Sequence, residues 1–179
     1  MKYYRKLEVP KLGEIISYAR KYILGNESVF QRKAGVNLIH LDPSFVLGSE
    51  EIQYCLREYD LICVGAFAFV MYHDNQCSIH SDSFIHDTRL NIPVMNCEGT
   101  LTKFYDVPEW KIAHNVQGYE VKVAADPDKC IELAKVEIDR PTLLRVNTPH
   151  RVIVNKIPRI TISLYFNTDP TFILETEND

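Results

Sequence analysis

The chain has 179 residues, 46% of them hydrophobic and 25% charged, an ordinary balance for a globular domain with a core of its own. Its net charge of −4 gives no electrostatic case for a nucleic-acid partner, which normally meets a broad basic face. Five cysteines without a CxxC pair argue against a disulfide framework or a zinc knuckle. Reduced thiols and the absence of an apolar leader in the first 15 residues make the cytoplasm the expected location.

In chain order, residues 3–7 read as a short strand. Pro10 stands where a helix can open, and Leu12, Ile15, Ile16, Ala19 and Ile23 recur on one face at helical spacing, with Gly25 as a stop. A second helix is expected from Ser49. Glu50 and Glu51 suit the dipole of its first turn, and Ile52, Cys55, Leu56 and Tyr59 form its apolar face. From Leu61 the pattern changes. Residues 61–72 form an apolar, β-rich run, shorter than the roughly 20 residues a membrane helix needs, so no membrane span is expected.

Residues 77–82, 88–95, 100–105, 118–124, 143–147, 151–154 and 159–166 read as further short strands. Turn signals such as Asp74-Asn75 and Asp126-Pro127-Asp128 separate them. A short helix is expected over 127–133. About eight short strands after a helical start predict a mainly β fold with N-terminal helices, a barrel-like sandwich or jelly roll. The expected organisation is a single domain, 1–179, in which residues 1–60 form a mixed cap and 61–179 the β core. Neither GxGxxG nor GxxxxGK[ST] occurs, so nucleotide cradles of those types have no support.

The chemistry concentrates in three places. In Ser78-Ile79-His80-Ser81-Asp82, positions i and i+2 of a strand share a face, so His80 and Asp82 present an imidazole and a carboxylate side by side. A second imidazole from another strand, His150, completes two histidines and a carboxylate around one metal and leaves positions open, the arrangement of non-haem ferrous oxygenases. Nine residues beyond His150 stands Arg159, in Arg159-Ile160-Thr161-Ile162-Ser163. Arg159, Thr161 and Ser163 share one face, where a guanidinium can clamp a carboxylate with two parallel hydrogen bonds. His73, His86 and His114 carry no motif. Arg140, Arg145 and Arg151 are expected to be plain surface charges.

The string His80-Ser81-Asp82, then His150, then Arg159-Ile160-Thr161 resembles the HxD…H…RxS/T signature of the Fe(II)- and 2-oxoglutarate-dependent dioxygenases, over roughly residues 61–166. The resemblance implies a double-stranded β-helix, cupin-like jelly roll. It implies His80, Asp82 and His150 as metal ligands and catalytic centre, Arg159 and Thr161 as anchors of 2-oxoglutarate, and Fe(II) and O2 as the other reagents. The segment Thr88-Arg89-Leu90-Asn91 resembles the second core strand of the aspartyl/asparaginyl hydroxylase-like branch, with Asn91 toward the cosubstrate and Arg89 toward a substrate carboxylate. The best-known members of that branch lack a carboxylate ligand at the place of Asp82. Tyr72 and Tyr105 are further hydroxyls for the cosubstrate; Tyr72 resembles a tyrosine that prolyl-hydroxylase-like members place before the HxD.

The activity so implied is hydroxylation of a C–H bond in a small molecule or a peptide side chain, with 2-oxoglutarate converted to succinate and CO2. Residues 83–88 and 106–117 are expected to flank the entrance. The alternative is a non-catalytic metal-binding or sensor module on the same barrel, which a fourth ligand such as Cys77 or His86 would favour.

Overall fold

The computed structural model of the protein describes residues 1–25, 36–72, 78–82, 87–114 and 120–176. The first third holds β1 (Tyr4–Lys6), α1 (Leu12–Leu24), β2 (Val36–Leu41), α2 (Ser44–Leu47) and α3 (Glu50–Glu58). Then come β3 (Cys63–Met71), β4 (His80–Ser81), β5 (Thr88–Met95), β6 (Leu101–Asp106), β7 (Trp110–His114) and β8 (Glu120–Ala124). The chain closes with β9 (Ile131–Glu137), β10 (Thr142–Arg145), β11 (His150–Ile153), β12 (Arg159–Phe166) and α4 (Thr171–Glu175).

The strands form two antiparallel sheets. One runs β1-β10-β5-β12-β3-β2, the other β7-β8-β4-β11-β6-β9. Neighbours in each sheet are mostly distant in sequence, the mark of a jelly roll. The first sheet buries one face against the helices. Ile160, Ile162 and Leu164 of β12, Leu90, Ile92 and Val94 of β5 and Leu143 of β10 pack there with Ile15, Ala19 and Ile23 of α1, Phe45 of α2 and Ile52, Cys55 and Leu56 of α3. The helix signals act locally. Ser49 accepts the Ile52 N–H at 3.3 Å and so satisfies one orphan donor of α3. Lys11, with φ of 56°, precedes α1 in a left-handed conformation, so this helix opens two residues after Pro10.

The opposite face of that sheet meets the second sheet. Leu144, alternating with Leu143, packs with Phe104 of β6 and Val136 of β9, and Tyr3 stacks on Phe104 at 5.4 Å between centroids. The space between the sheets is where the polar residues of β5 and β12 point, as the register below establishes.

Three expectations need correction. The helix over 127–133 is a single 3-10 turn, Pro127–Lys129, capped by the Asp126 carboxylate. Past it the chain becomes β9, because pairing with β6 offers its backbone ladder partners that an isolated short helix lacks. The strand expected over 77–82 narrows, among the described residues, to His80–Ser81. Arg145 is no surface charge: it is 7% exposed, donates from Nε to the Lys2 carbonyl at 3.2 Å and pairs with Glu175 at 2.8 Å. β2 and α2 had no clear signal in the sequence. Among the described residues no helix is long and apolar enough to cross a membrane.

Candidate metal centre

His80 and His150 are direct partners across the β4–β11 pair, and their rings lie 4.6 Å apart between centroids. His150 is also the register partner of Phe104, whose side chain lies in the inter-sheet cluster. Opposed residues of an antiparallel pair share a face, so both imidazoles point between the sheets. Asp82 stands one residue past β4, with its Oδ1 3.4 Å from His80 Nε2. The ligand atoms of His80, Asp82 and His150 all lie within 4.8 Å of one another, a separation one metal ion can bridge. Among the described residues this is the only such cluster of three or more ligand residues; Cys77 and His86, the expected rival ligands, lie outside those residues.

The backbone sets the tautomer of each histidine. His80 Nδ1 lies 2.8 Å from the Ser78 carbonyl and His150 Nδ1 2.9 Å from the Thr148 carbonyl. A carbonyl only accepts, so each Nδ1 carries the proton and donates it. That leaves Nε2 as the atom able to ligate a metal, the support that metal-binding histidines ordinarily receive. Burial, and then the neighbouring His80, push the His150 pKa down to about 4. This imidazole is therefore neutral at neutral pH, the form that binds metal. Burial opposes the charge on Asp82, but the hydrogen bond that cationic His80 donates and the charges of cationic His150 and His80 and of Arg89 outweigh it and hold the carboxyl below its usual pKa. His150 is buried, whereas the side chains of His80 and Asp82 are 20% and 19% exposed, so the cluster is reachable from one side.

The facing sheet supplies the second half of the site. Arg159 pairs with Met71, Thr161 with Phe69, and Ser163 with Phe67 and Asn91. Asn91 pairs with Thr142, and Arg89 with the inward Leu144. Arg89, Asn91, Arg159, Thr161 and Ser163 therefore line the inner face, and all are buried. The Arg159 guanidinium reaches the Met71 sulfur at 3.8 Å. Arg89 lies over the rings of Phe67 and Tyr165, at 5.8 and 5.6 Å from their centroids, a cation–π seat. Those rings stack on each other at 5.1 Å. Tyr165 can lie across β3 because its register partner is Gly65, where any Cβ would collide with the phenol ring. Sequence reading passed over this aromatic seat, although the alternation Arg159, Thr161, Ser163, Tyr165 carries it.

Neither expected tyrosine joins the inner face. Tyr72 packs against the helix-side cluster, one position past the inward Met71. Tyr105 follows the inward Phe104 and packs with Ile79 and Val107, beside the outer charges of Lys103, Glu132 and Arg151. Strand alternation sends both the other way. A cleft of ≈ 610 Å³ elsewhere, lined by Arg20, Glu98, Glu137, Asp139 and Lys156 among others, contains none of the cluster.

Fold and site together define a jelly-roll sandwich with two histidines and a carboxylate on one sheet and buried arginines on the other. No protein-family model matches the chain, and no curated protein matches it. Among solved structures it is similar to the crystal structure of the epimerase SnoN in complex with Fe3+, alpha-ketoglutarate and nogalamycin RO. The TM-score is 0.51 at 14% identity, over 99% of this chain and 88% of that one, a likeness of fold.

Proposed function

We propose that the protein is an Fe(II)- and 2-oxoglutarate-dependent oxygenase that oxidises a C–H bond of a small molecule or a peptide side chain. The observation that carries this reading is the convergence of His80, Asp82 and His150 within 4.8 Å, with three protein ligands and an approach left open as catalytic metals require. The donor set fits the ion: two imidazoles with Nε2 directed inward, and one carboxylate. The neighbour in fold, crystallised with Fe3+ and alpha-ketoglutarate, supports the same chemistry here.

Bound between the sheets, a ferrous ion with 2-oxoglutarate supplies oxidative decarboxylation to succinate and CO2 and the activation of O2 against a C–H bond. The chain's own residues hold and orient. Arg159 binds the far carboxylate of 2-oxoglutarate with charge-assisted hydrogen bonds, which are strengthened by burial. Thr161, two positions on and facing the same way, adds a hydroxyl donor. Asn91 contributes an amide to the cosubstrate, and Arg89 binds an anionic group of the substrate. The stacked rings of Phe67 and Tyr165 keep the Arg89 guanidinium fixed and exclude water from its faces.

The test is an anaerobic titration of the metal-free protein with Fe(II) and then 2-oxoglutarate. The expected result is a weak visible charge-transfer band in wild type that is missing in His80→Ala. Iron binding by a folded wild type without the band would instead favour the non-catalytic metal module. Product analysis then separates a hydroxylated from a stereoinverted product, the latter being the outcome that the epimerase neighbour brings into view.

A further inference from the structure

We infer that Asp169 is a positioning residue for the metal centre: it buckles the segment after β12 to the start of β5, and through Asp87 and Val146 it fixes the backbone that presents Asp82. This inference rests on the reading of His80, Asp82 and His150 as metal ligands.

Asp82 needs such a device because no ladder holds it. β4 is two residues long and ends at Ser81. The Asp82 N–H donates to the Val146 carbonyl at 3.0 Å, and Ser81 Oγ donates to the Asn147 carbonyl at 2.6 Å. Val146 itself lies one residue past β10, so the partner of the ligand is no better anchored by strand pairing than the ligand is. Its own N–H donates to the Asp87 carbonyl at 2.7 Å. The Asp87 N–H in turn donates to Asp169 Oδ2, also at 2.7 Å.

The other carboxylate oxygen of Asp169 closes the buckle. Oδ1 accepts the Thr171 N–H at 2.9 Å and the Thr171 hydroxyl at 2.6 Å. With that proton committed, the Thr171 oxygen accepts from the hydroxyl of Thr88, 2.6 Å away. Thr88 is fully buried and the bonds around Asp169 are half-buried, so they are partly screened from water and polarise one another. The far end of α4 grips the same region independently. Glu175 pairs with Arg145 at 2.8 Å, the residue immediately before Val146. The chemistry calls for a carboxylate: the pocket offers donors to both oxygens, and an asparagine would set its own NH2 against one of them.

The experiment titrates the metal-free 179-residue chain with cobalt(II), reading both affinity and the visible ligand-field spectrum, with thermal midpoints taken alongside. Wild type, Asp169→Asn, Thr171→Val, Thr171→Ser, His150→Ala and the core variant Leu164→Ala are compared. Expected is a loss of about 10-fold or more in affinity for Asp169→Asn, the scale of lost support behind a ligand, with an altered spectrum. Thr171→Val should lose less, and Thr171→Ser, which keeps the hydroxyl, should restore wild-type behaviour. Leu164→Ala, destabilised by a cavity alone, should keep the wild-type spectrum and affinity once folded. Wild-type affinity and spectrum in Asp169→Asn would overturn the inference, as would a loss no greater than that of Leu164→Ala. If Asp169→Asn does not fold, Thr171→Val against Thr171→Ser decides by the same readings. Should Asp169→Asn match wild type while His150→Ala loses cobalt, only this inference fails. Should wild type bind no cobalt, the metal reading fails and takes it along.

Discussion

Strand β12 presents two chemically opposite rows. Toward the helices it buries Ile160, Ile162 and Leu164; toward the second sheet it buries Arg159, Thr161 and Ser163. β5 repeats the contrast, with Leu90, Ile92 and Val94 on one side and Arg89 and Asn91 on the other. The apolar row stabilises the fold by roughly 1.5–3 kcal/mol for each large side chain removed from water. The polar row works against folding, since a buried charge costs several kcal/mol before its partners are counted. One sheet therefore holds itself together on its outer face and can afford chemistry on its inner one. Burial alone does not tell the two rows apart; the chemistry of what is buried does.

The contrast breaks most sharply at the candidate ligands. Asp82→Ala should abolish 2-oxoglutarate turnover, read as succinate release, while leaving the far-ultraviolet spectrum of the folded chain intact. Full activity in that variant would remove Asp82 from the centre. On the helix side, Leu164→Ala should cost about 2–5 kcal/mol in denaturant unfolding with little change in metal affinity of the folded protein. An inner-face change should do the reverse. Arg159→Ala should raise the 2-oxoglutarate concentration for half-maximal turnover by about 10–100-fold, the worth of a charge-assisted pair, and shift the unfolding midpoint less than Leu164→Ala does. An unchanged cosubstrate requirement would sink the anchor.

Acidity acts on the same centre. The His150 pKa is held down at about 4 against an ordinary 6.5, so between these values the unfolded chain takes up a proton that the folded chain does not. Stability of the metal-free protein should fall as pH drops through that window, and a lowered Asp82 pKa adds to the loss at still lower pH. Denaturation midpoints that stay flat from neutrality to pH 4 in wild type, or that fall equally in His150→Ala, would contradict this. The smallest effect belongs to the outer surface. Lys103→Ala removes a pair with Glu132 at 2.7 Å, yet partly exposed ion pairs contribute only about 0.2–1 kcal/mol, and turnover should not change.

Period-two patterning made much of this legible. The strands over 88–95 and 159–166 emerge with the expected bounds, and His80, Asp82 and His150 converge as their spacing suggested. Tyr72 and Tyr105 went astray because a hydroxyl near a motif says nothing about which face its strand turns inward. Arg145 misled because its partners, Lys2 and Glu175, come from the two ends of the described chain. The helix expected at 127–133 gave way because its backbone found a ladder with β6, a partner that local propensity does not see.

By itself, then, the sequence determined the alternation of apolar and polar positions and the kinds of candidate ligand and their order along the chain, because these depend on residue identity and on neighbours two to four residues apart. Only the tertiary structure decided which row faces which layer, that Gly65 admits the Tyr165 ring beside Arg89, and that Asp169 reaches Asp87 to steady Val146 and Asp82. Those contacts join segments far apart in the chain, and they exist only once the crossovers between two sheets have brought their strands together.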